Sequence, residues 1–163
     1  ARVAGQDRGR HGPAASRPEP GRDEILSALY LETSAVLNWL LGQAHADEVR
    51  ASVDAAEVVV TSTLTFAETE RALVRAESEE LLRAADGQRL RGLLQRASAG
   101  WMKMMISDEI LTRAGRPFPV EPVRTLDAIH LATALAFTKA FADLRLLNLD
   151  RRLAGNARAL GLG

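Results

Sequence analysis

Residues 26–41 read LSALYLETSAVLNWLL, and the change of pattern inside them decides the fold. From Leu26 to Leu31 the residues are nearly all apolar, as in a short strand buried on both faces. Beyond Glu32 the apolar positions Val36, Leu37, Leu40 and Leu41 take helical spacing, with Thr33 or Ser34 placed to cap the helix. A strand that ends on an acid and turns at once into an apolar helix opens an α/β unit.

The alternation continues along the chain. A helix is expected around Ala44–Ala56, followed by the β-branched strand Glu57–Ser62 (EVVVTS). A long helical tract starts at Thr63, and Gly87 is expected to break it in two. Met104–Ile106 reads as a short third strand, with Ser107 capping a helix to about Ala114. Gly115 and prolines 117, 119 and 122 make a loop, after which a strongly apolar helix runs from Thr125 to about Ala140. Leu144–Asn148 is the last strand and Arg151–Leu160 the closing helix. There is no internal repeat. The expected architecture is a three-layer α/β/α sandwich around a short, mostly parallel sheet.

The whole chain has 163 residues, which suits one domain with a substantial core. Residues 1–22 are rich in Gly, Pro, Arg and Ala with one large aliphatic residue, Val3, and are expected to stay disordered. The folded domain is therefore placed at residues 23–163. With 21 basic against 21 acidic residues, no general positive field draws the protein onto nucleic acid; an RNA ligand would have to be held by local arginines or by metal ions. The absence of cysteine excludes disulfides, thiolate metal sites and thiol nucleophiles and suits a reducing cytoplasm. No stretch is apolar enough for a membrane span, and no apolar signal core argues for secretion.

Ligands of open α/β sheets sit beyond the carboxyl ends of the strands. Glu32 terminates the first strand, Asp150 follows the last, and Glu68 lies six residues past the second. Asp127 stands near the start of a helix whose other residues are almost all apolar, where an acid is costly to bury unless neutralised. Four acids on one rim raise each other's pKa and call for a cation. Oxygen ligands alone suit a hard ion, Mg²⁺ or Mn²⁺, which can activate water for displacement at a phosphodiester. Each acid also has an ordinary reading: Asp150, before Arg151 and Arg152, as a helix cap; Glu68, beside Glu70, Arg71 and Arg75, as part of a surface ion-pair network. Asp127 resists such a reading best. His130, one helical turn from Asp127, reads as a packed histidine on a helix face.

Four strings carry a family resemblance: LYLETSAVLNWL, VVVTSTLTFAETERAL, LDAIHLATAL and LLNLDRRLAGNARALGL. In this order and at these separations they resemble the successive blocks of PIN-domain proteins, and most closely the VapC-like toxins of toxin–antitoxin pairs. The resemblance covers nearly the whole chain from Ile25. It implies a Mg²⁺- or Mn²⁺-dependent endoribonuclease with Glu32, Glu68, Asp127 and Asp150 as catalytic acids, of which Glu32, Asp127 and Asp150 hold the metal. Ser34 and Asn148 would position substrate or water. It further implies a homodimer and a cognate antitoxin protein. The first block of the family normally carries Asp where this chain has Glu32, and Asn148 stands where a hydroxyl residue is common. One extra methylene at a site demanding strict geometry motivates a second reading, a catalytically weakened PIN module that acts by binding its antitoxin. A phosphotransfer domain of the same architecture would need an Asp after the first strand and a Lys near the last, and has neither here.

Overall fold

The computed structural model describes residues 27–163, so the expected disordered segment 1–22 and the start of the first strand at Leu26 lie outside the described residues. Four strands make one sheet in the order β3-β2-β1-β4, and every pairing is parallel. They are β1 (Ala28–Leu31), β2 (Val58–Ser62), β3 (Met102–Met104) and β4 (Arg145–Leu147). The helices are α1 (Thr33–Leu40), α2 (Ala46–Ala55), α3 (Thr63–Ser78), α4 (Ala84–Ala97), α5 (Asp108–Ala114), α6 (Thr125–Phe137) and α7 (Arg151–Ala159). None among the described residues is long and apolar enough to cross a membrane.

The near-continuous apolar run of β1 follows from its place in the centre of the sheet, covered on both sides. Alternate residues serve alternate faces. Ala28 and Tyr30 join Leu131 and Phe137 of α6 and Leu153 of α7 in one core cluster. Leu29 and Leu31 join Val36 of α1, Val49 of α2, Leu73 of α3 and Leu94 of α4 in the other. The sheet thus lies between two helical layers, as the α/β/α reading requires. Trp39 and Trp101 pack at the edge of the second cluster.

Two expected boundaries move for physical reasons. The tract after Thr63 breaks at residues 79–83, where Glu80 takes φ 57°, and not at Gly87. Gly87 lies inside α4, where a Cβ would fall 1.8 Å from Glu77 Oε1, held by Arg91; the glycine makes room for that ion pair and does not break the helix. The third strand lies two residues earlier than expected, since its pairing pins Met102 to Val60 and Met104 to Ser62 at the sheet edge.

The loop that delivers the chain to α6 is tied at both ends. Asn156 of α7, fully buried, accepts from Val120 N at 2.9 Å and donates to Val120 O at 2.7 Å. The Glu121 carboxylate accepts from Phe118 N and Val123 N at 2.8 and 2.7 Å. These bonds fix where α6 begins, and hence where Asp127 and His130 stand. Leu131, with no exposed surface, anchors α6 against the sheet. Leu131→Ala is expected to cost about 2–5 kcal/mol and to lower the melting temperature by roughly 5 °C or more, read by thermal denaturation.

Candidate active site

The carboxyl ends of β1, β2 and β4 form one rim, and each supplies the start of a helix. Glu32 is both the residue after β1 and the N-cap of α1: its Oε2 accepts from Ser34 N at 2.8 Å and from the Ser34 hydroxyl. Its backbone N–H extends the pairing with β4 by donating to Leu147 O at 3.1 Å. The residue is 6 % exposed, and burial pushes its carboxyl pKa up, against the Ser34 hydrogen bonds and the neighbouring His130.

Glu68 sits in the second turn of α3, a helix capped by Ser62, whose hydroxyl accepts from Leu64 N. Its Oε2 accepts from the Thr33 hydroxyl at 2.5 Å and bonds His130 Nε2 at 2.7 Å. Burial alone would raise this carboxyl, but the bonds from His130 and Thr33 outweigh it and hold the pKa below the usual carboxylate range. The surface ion-pair reading of Glu68 is therefore replaced by a tie into the interior. Arg71 and Arg75 are not its partners.

His130 is the residue that sequence reasoning undervalued. It is packed, with no exposed surface, as expected of a histidine on an apolar helix. Both ring nitrogens are nevertheless engaged: Nδ1 lies 2.8 Å from the Tyr30 hydroxyl and Nε2 faces Glu68 and, at 3.1 Å, the Thr33 hydroxyl. Burial pushes the Tyr30 hydroxyl pKa above its ordinary range, so the phenol keeps its proton beside Nδ1. Because an ionised Glu68 can only accept, Nε2 carries a proton directed at it. The usable signal was the i, i+3 spacing of Asp127 and His130, which puts both on one side of α6.

Asp127 occupies the first turn of α6 and is partly buried. Burial raises its pKa first and the charge of Asp150 second, while Arg124 opposes them; Glu68 adds a further small upward push. Asp150 caps α7, its Oδ1 accepting from Arg152 N at 2.9 Å, so the cap reading holds and coexists with a place beside Asp127. Ser34, expected to face substrate or water, is committed inward: its hydroxyl donates to Glu32 and accepts from Leu149 N at 2.8 Å, linking the ends of β1 and β4. Asn148 Oδ1 is buried with no hydrogen-bond partner among the described residues.

The tightest grouping of possible ligand atoms is Glu32, Glu68 and His130, with one atom from each all within 4.8 Å of one another. This differs from the expected set of Glu32, Asp127 and Asp150 by bringing Glu68 and His130 to the centre. Glu32 Oε1 lies 4.0 Å from His130 Nε2, so Oε2 belongs to Ser34 and Oε1 faces the cluster. Two glutamates so close, with Asp127 near them, resist simultaneous ionisation unless a cation joins them; their oxygens suit a hard divalent ion, while His130, its Nε2 proton directed at Glu68, positions them. A groove between α5 and α6, lined by Arg113, Leu135 and Lys139, contains none of these acids in its lining.

The blocks quoted above have counterparts in known proteins. The family described as PIN domain matches residues 29–158. Among curated proteins, Ribonuclease VapC46 of Mycobacterium tuberculosis is 33 % identical over 138 residues, covering 84 % of this chain and 95 % of that one. Ribonuclease VapC35 of the same organism is 32 % identical over 136 residues, covering 82 % and 93 %. Among solved structures, Mycobacterium tuberculosis VapC20, described as a Sarcin-Ricin loop cleaving toxin, superposes with a TM-score of 0.59 at 15 % identity, over 83 % of this chain and 96 % of that one. VapBC2 of Rickettsia felis, solved with a promoter DNA fragment, gives 0.50 at 11 % identity, over 76 % and 99 %. At such identities the two structures speak for the fold, and the parallel four-stranded sheet with helices on both faces is the one they share. With four-fifths of its length matched and its curated relatives matched almost end to end, this chain belongs to the PIN-domain family, alongside the VapC ribonucleases.

Proposed function

We propose that this chain is the toxin of a toxin–antitoxin pair, an endoribonuclease that hydrolyses RNA phosphodiester bonds with Mg²⁺ or Mn²⁺. The observation that carries the reading is the convergence of Glu32, Glu68 and His130 at the carboxyl-end rim of a parallel sheet, in a chain whose curated relatives are named ribonucleases. Glu32, Asp127 and Asp150 would hold the ion, with Glu68 beside them as the fourth catalytic acid. When bound, the ion supplies charge neutralisation at the phosphate and a lowered pKa for water.

The protein's own groups divide the remaining work. His130 and Thr33 hold the Glu68 carboxylate in one orientation and keep it ionised, so it can accept a proton from an attacking water. Ser34 holds Glu32 from behind, leaving Oε1 forward. Asp127 and Asp150 each stand at the start of a helix, whose N-terminal dipole favours negative charge there, and the charge of Asp150 is felt at Asp127. Asn148, with its buried unpaired oxygen, would hold a water and through it help position substrate. Within the cytoplasm the antitoxin partner would cover this rim, and the active form is a homodimer.

Glu32 favours the second reading, a PIN module weakened in catalysis and acting by binding its antitoxin. Glu32→Asp separates the two: little change or a loss of cleavage supports a site adapted to Glu, whereas a tenfold gain would mark the native site as handicapped.

Cleavage of labelled RNA is expected to require Mg²⁺ or Mn²⁺ and to stop in EDTA. Asp127→Asn, which preserves shape, is expected to lower the rate by at least about a hundredfold; an Asp127→Asn enzyme with full activity, or cleavage that persists in EDTA, sinks the mechanism. Stability carries an independent sign. Because the folded-state pKa of Glu32 is raised, its ionised form destabilises the metal-free fold above the unfolded carboxylate pKa, and the penalty vanishes as pH falls below it. Glu32→Gln in EDTA should therefore raise the neutral-pH melting temperature measurably and leave it unchanged near pH 3. The same variant should lose most of the thermal shift that added Mn²⁺ gives the native protein.

A further inference from the structure

Helix α3 sorts its charges by face. At about 100° per residue, Glu68, Arg71, Ala72 and Arg75 share one side, while Glu70 and Glu77 point the opposite way. Both far-side acids are occupied by Arg91 of α4, which bonds Glu70 at 2.8 Å and Glu77 at 2.7 Å. Arg71 and Arg75 are exposed, and no carboxylate among the described residues lies within ion-pairing distance of either. Like charges at i, i+4 weaken a helix, so this pair contributes nothing to the fold that would explain it.

The two guanidiniums line a groove of about 430 Å³ between α3 and the start of α6, together with Leu64, Ala67 and Leu126. Glu68 lines the same groove, so it opens directly onto the carboxylate cluster. Leu126, the residue before Asp127, is 45 % exposed there. A polyanion meets no general attraction on a chain with 21 basic and 21 acidic residues, and must be held by a local patch.

We propose that Arg71 and Arg75 form a subsite for consecutive backbone phosphates of single-stranded RNA, on the stretch flanking the bond that is cut. The proposal rests on the ribonuclease reading above and adds the route the strand takes away from the acids. A four-residue step sets the roots of the two side chains about 6 Å apart along the helix axis, a spacing from which their guanidiniums can meet neighbouring phosphates of an extended strand. Guanidinium forks bind phosphate oxygens in pairs. The apolar floor of Leu64, Ala67 and Leu126 offers contact to sugar or base without reading sequence. An acidic peptide would satisfy the arginines alone, but the continuity with Glu68 favours the substrate.

The test uses the full chain in EDTA, so that no strand is cut, and a fluorescein-labelled random-sequence RNA of about 20 nucleotides, since phosphate contacts ignore sequence. Anisotropy titrations are run across a series of KCl concentrations. R71Q/R75Q is expected to weaken binding roughly tenfold or more and to reduce the slope of log K against log salt by about 1.4, two phosphates at ~0.7 each. R71K/R75K should restore the slope, and Arg89→Gln, exposed on α4, should leave both quantities unchanged. Equal melting temperatures for the variants and the native protein exclude misfolding. Unchanged RNA affinity and slope in R71Q/R75Q overturn the subsite, as does native protein that binds no RNA. R71Q/R75Q that keeps RNA but loses polyglutamate binding assigns the groove to a protein partner and overturns it too. Cleavage of RNA by the native chain in Mn²⁺, measured in parallel, judges the ribonuclease reading separately: cleavage with an indifferent R71Q/R75Q sinks only the subsite.

Discussion

A histidine ring with no exposed surface holds the hydroxyl of Tyr30 on one nitrogen and the carboxylate of Glu68 on the other. Burying both nitrogens is tolerable only because both are paired. The two partners come from the central strand and from α3, and the ring itself comes from α6. Three elements far apart in sequence are thus set in one register by a chain of hydrogen bonds 2.7–2.8 Å long. The orientation of Glu68 follows from that chain, and so does the closeness of α6 to β1.

The same arrangement sets the balance between stability and chemistry. Burial pushes Glu32 and Asp127 upward, while Glu68 is held down by its donors. Within one cluster the acids are thus pulled in opposite directions, Glu68 toward the ionised form and Glu32 and Asp127 toward the protonated one. The ionised forms of Glu32 and Asp127 cost the fold stability, whereas that of Glu68, paired with His130 and Thr33, adds to it.

Much of this was legible in the residues. The switch from a continuous apolar run to helical spacing at Glu32, repeated after Ser62 and Asn148, reveals a parallel sheet because burial on both faces removes the two-residue alternation. The carboxylates were visible for the same reason: an acid at a strand end or within an apolar helix stands out from its neighbours. His130 did not stand out, because a buried histidine and a bridging one have the same local sequence; the difference lies in Tyr30 and Glu68, 100 and 62 residues away. Ser34 likewise reads as a cap from its neighbours, while its bond to Leu149 depends on a strand pairing 115 residues distant. The break at Glu80 was hidden because Gly87, the obvious breaker, is small in order to admit Glu77.

Glu32 shows how such distant contacts change the meaning of a substitution. Read locally, one methylene more than Asp displaces a ligand in a site with strict geometry. In the folded chain the position of this carboxylate is governed by Ser34, whose amide and hydroxyl both bond Oε2, and Ser34 is itself braced by Leu149 N at 2.8 Å. With Oε2 so held, Oε1 is turned to within 4.0 Å of His130 Nε2 and into the company of Glu68. The longer side chain thus bends back over the first turn of its own helix instead of reaching outward. The position of a ligand oxygen is then a property of the braced unit Glu32–Ser34–Leu149, and side-chain length alone does not determine whether the site can hold an ion.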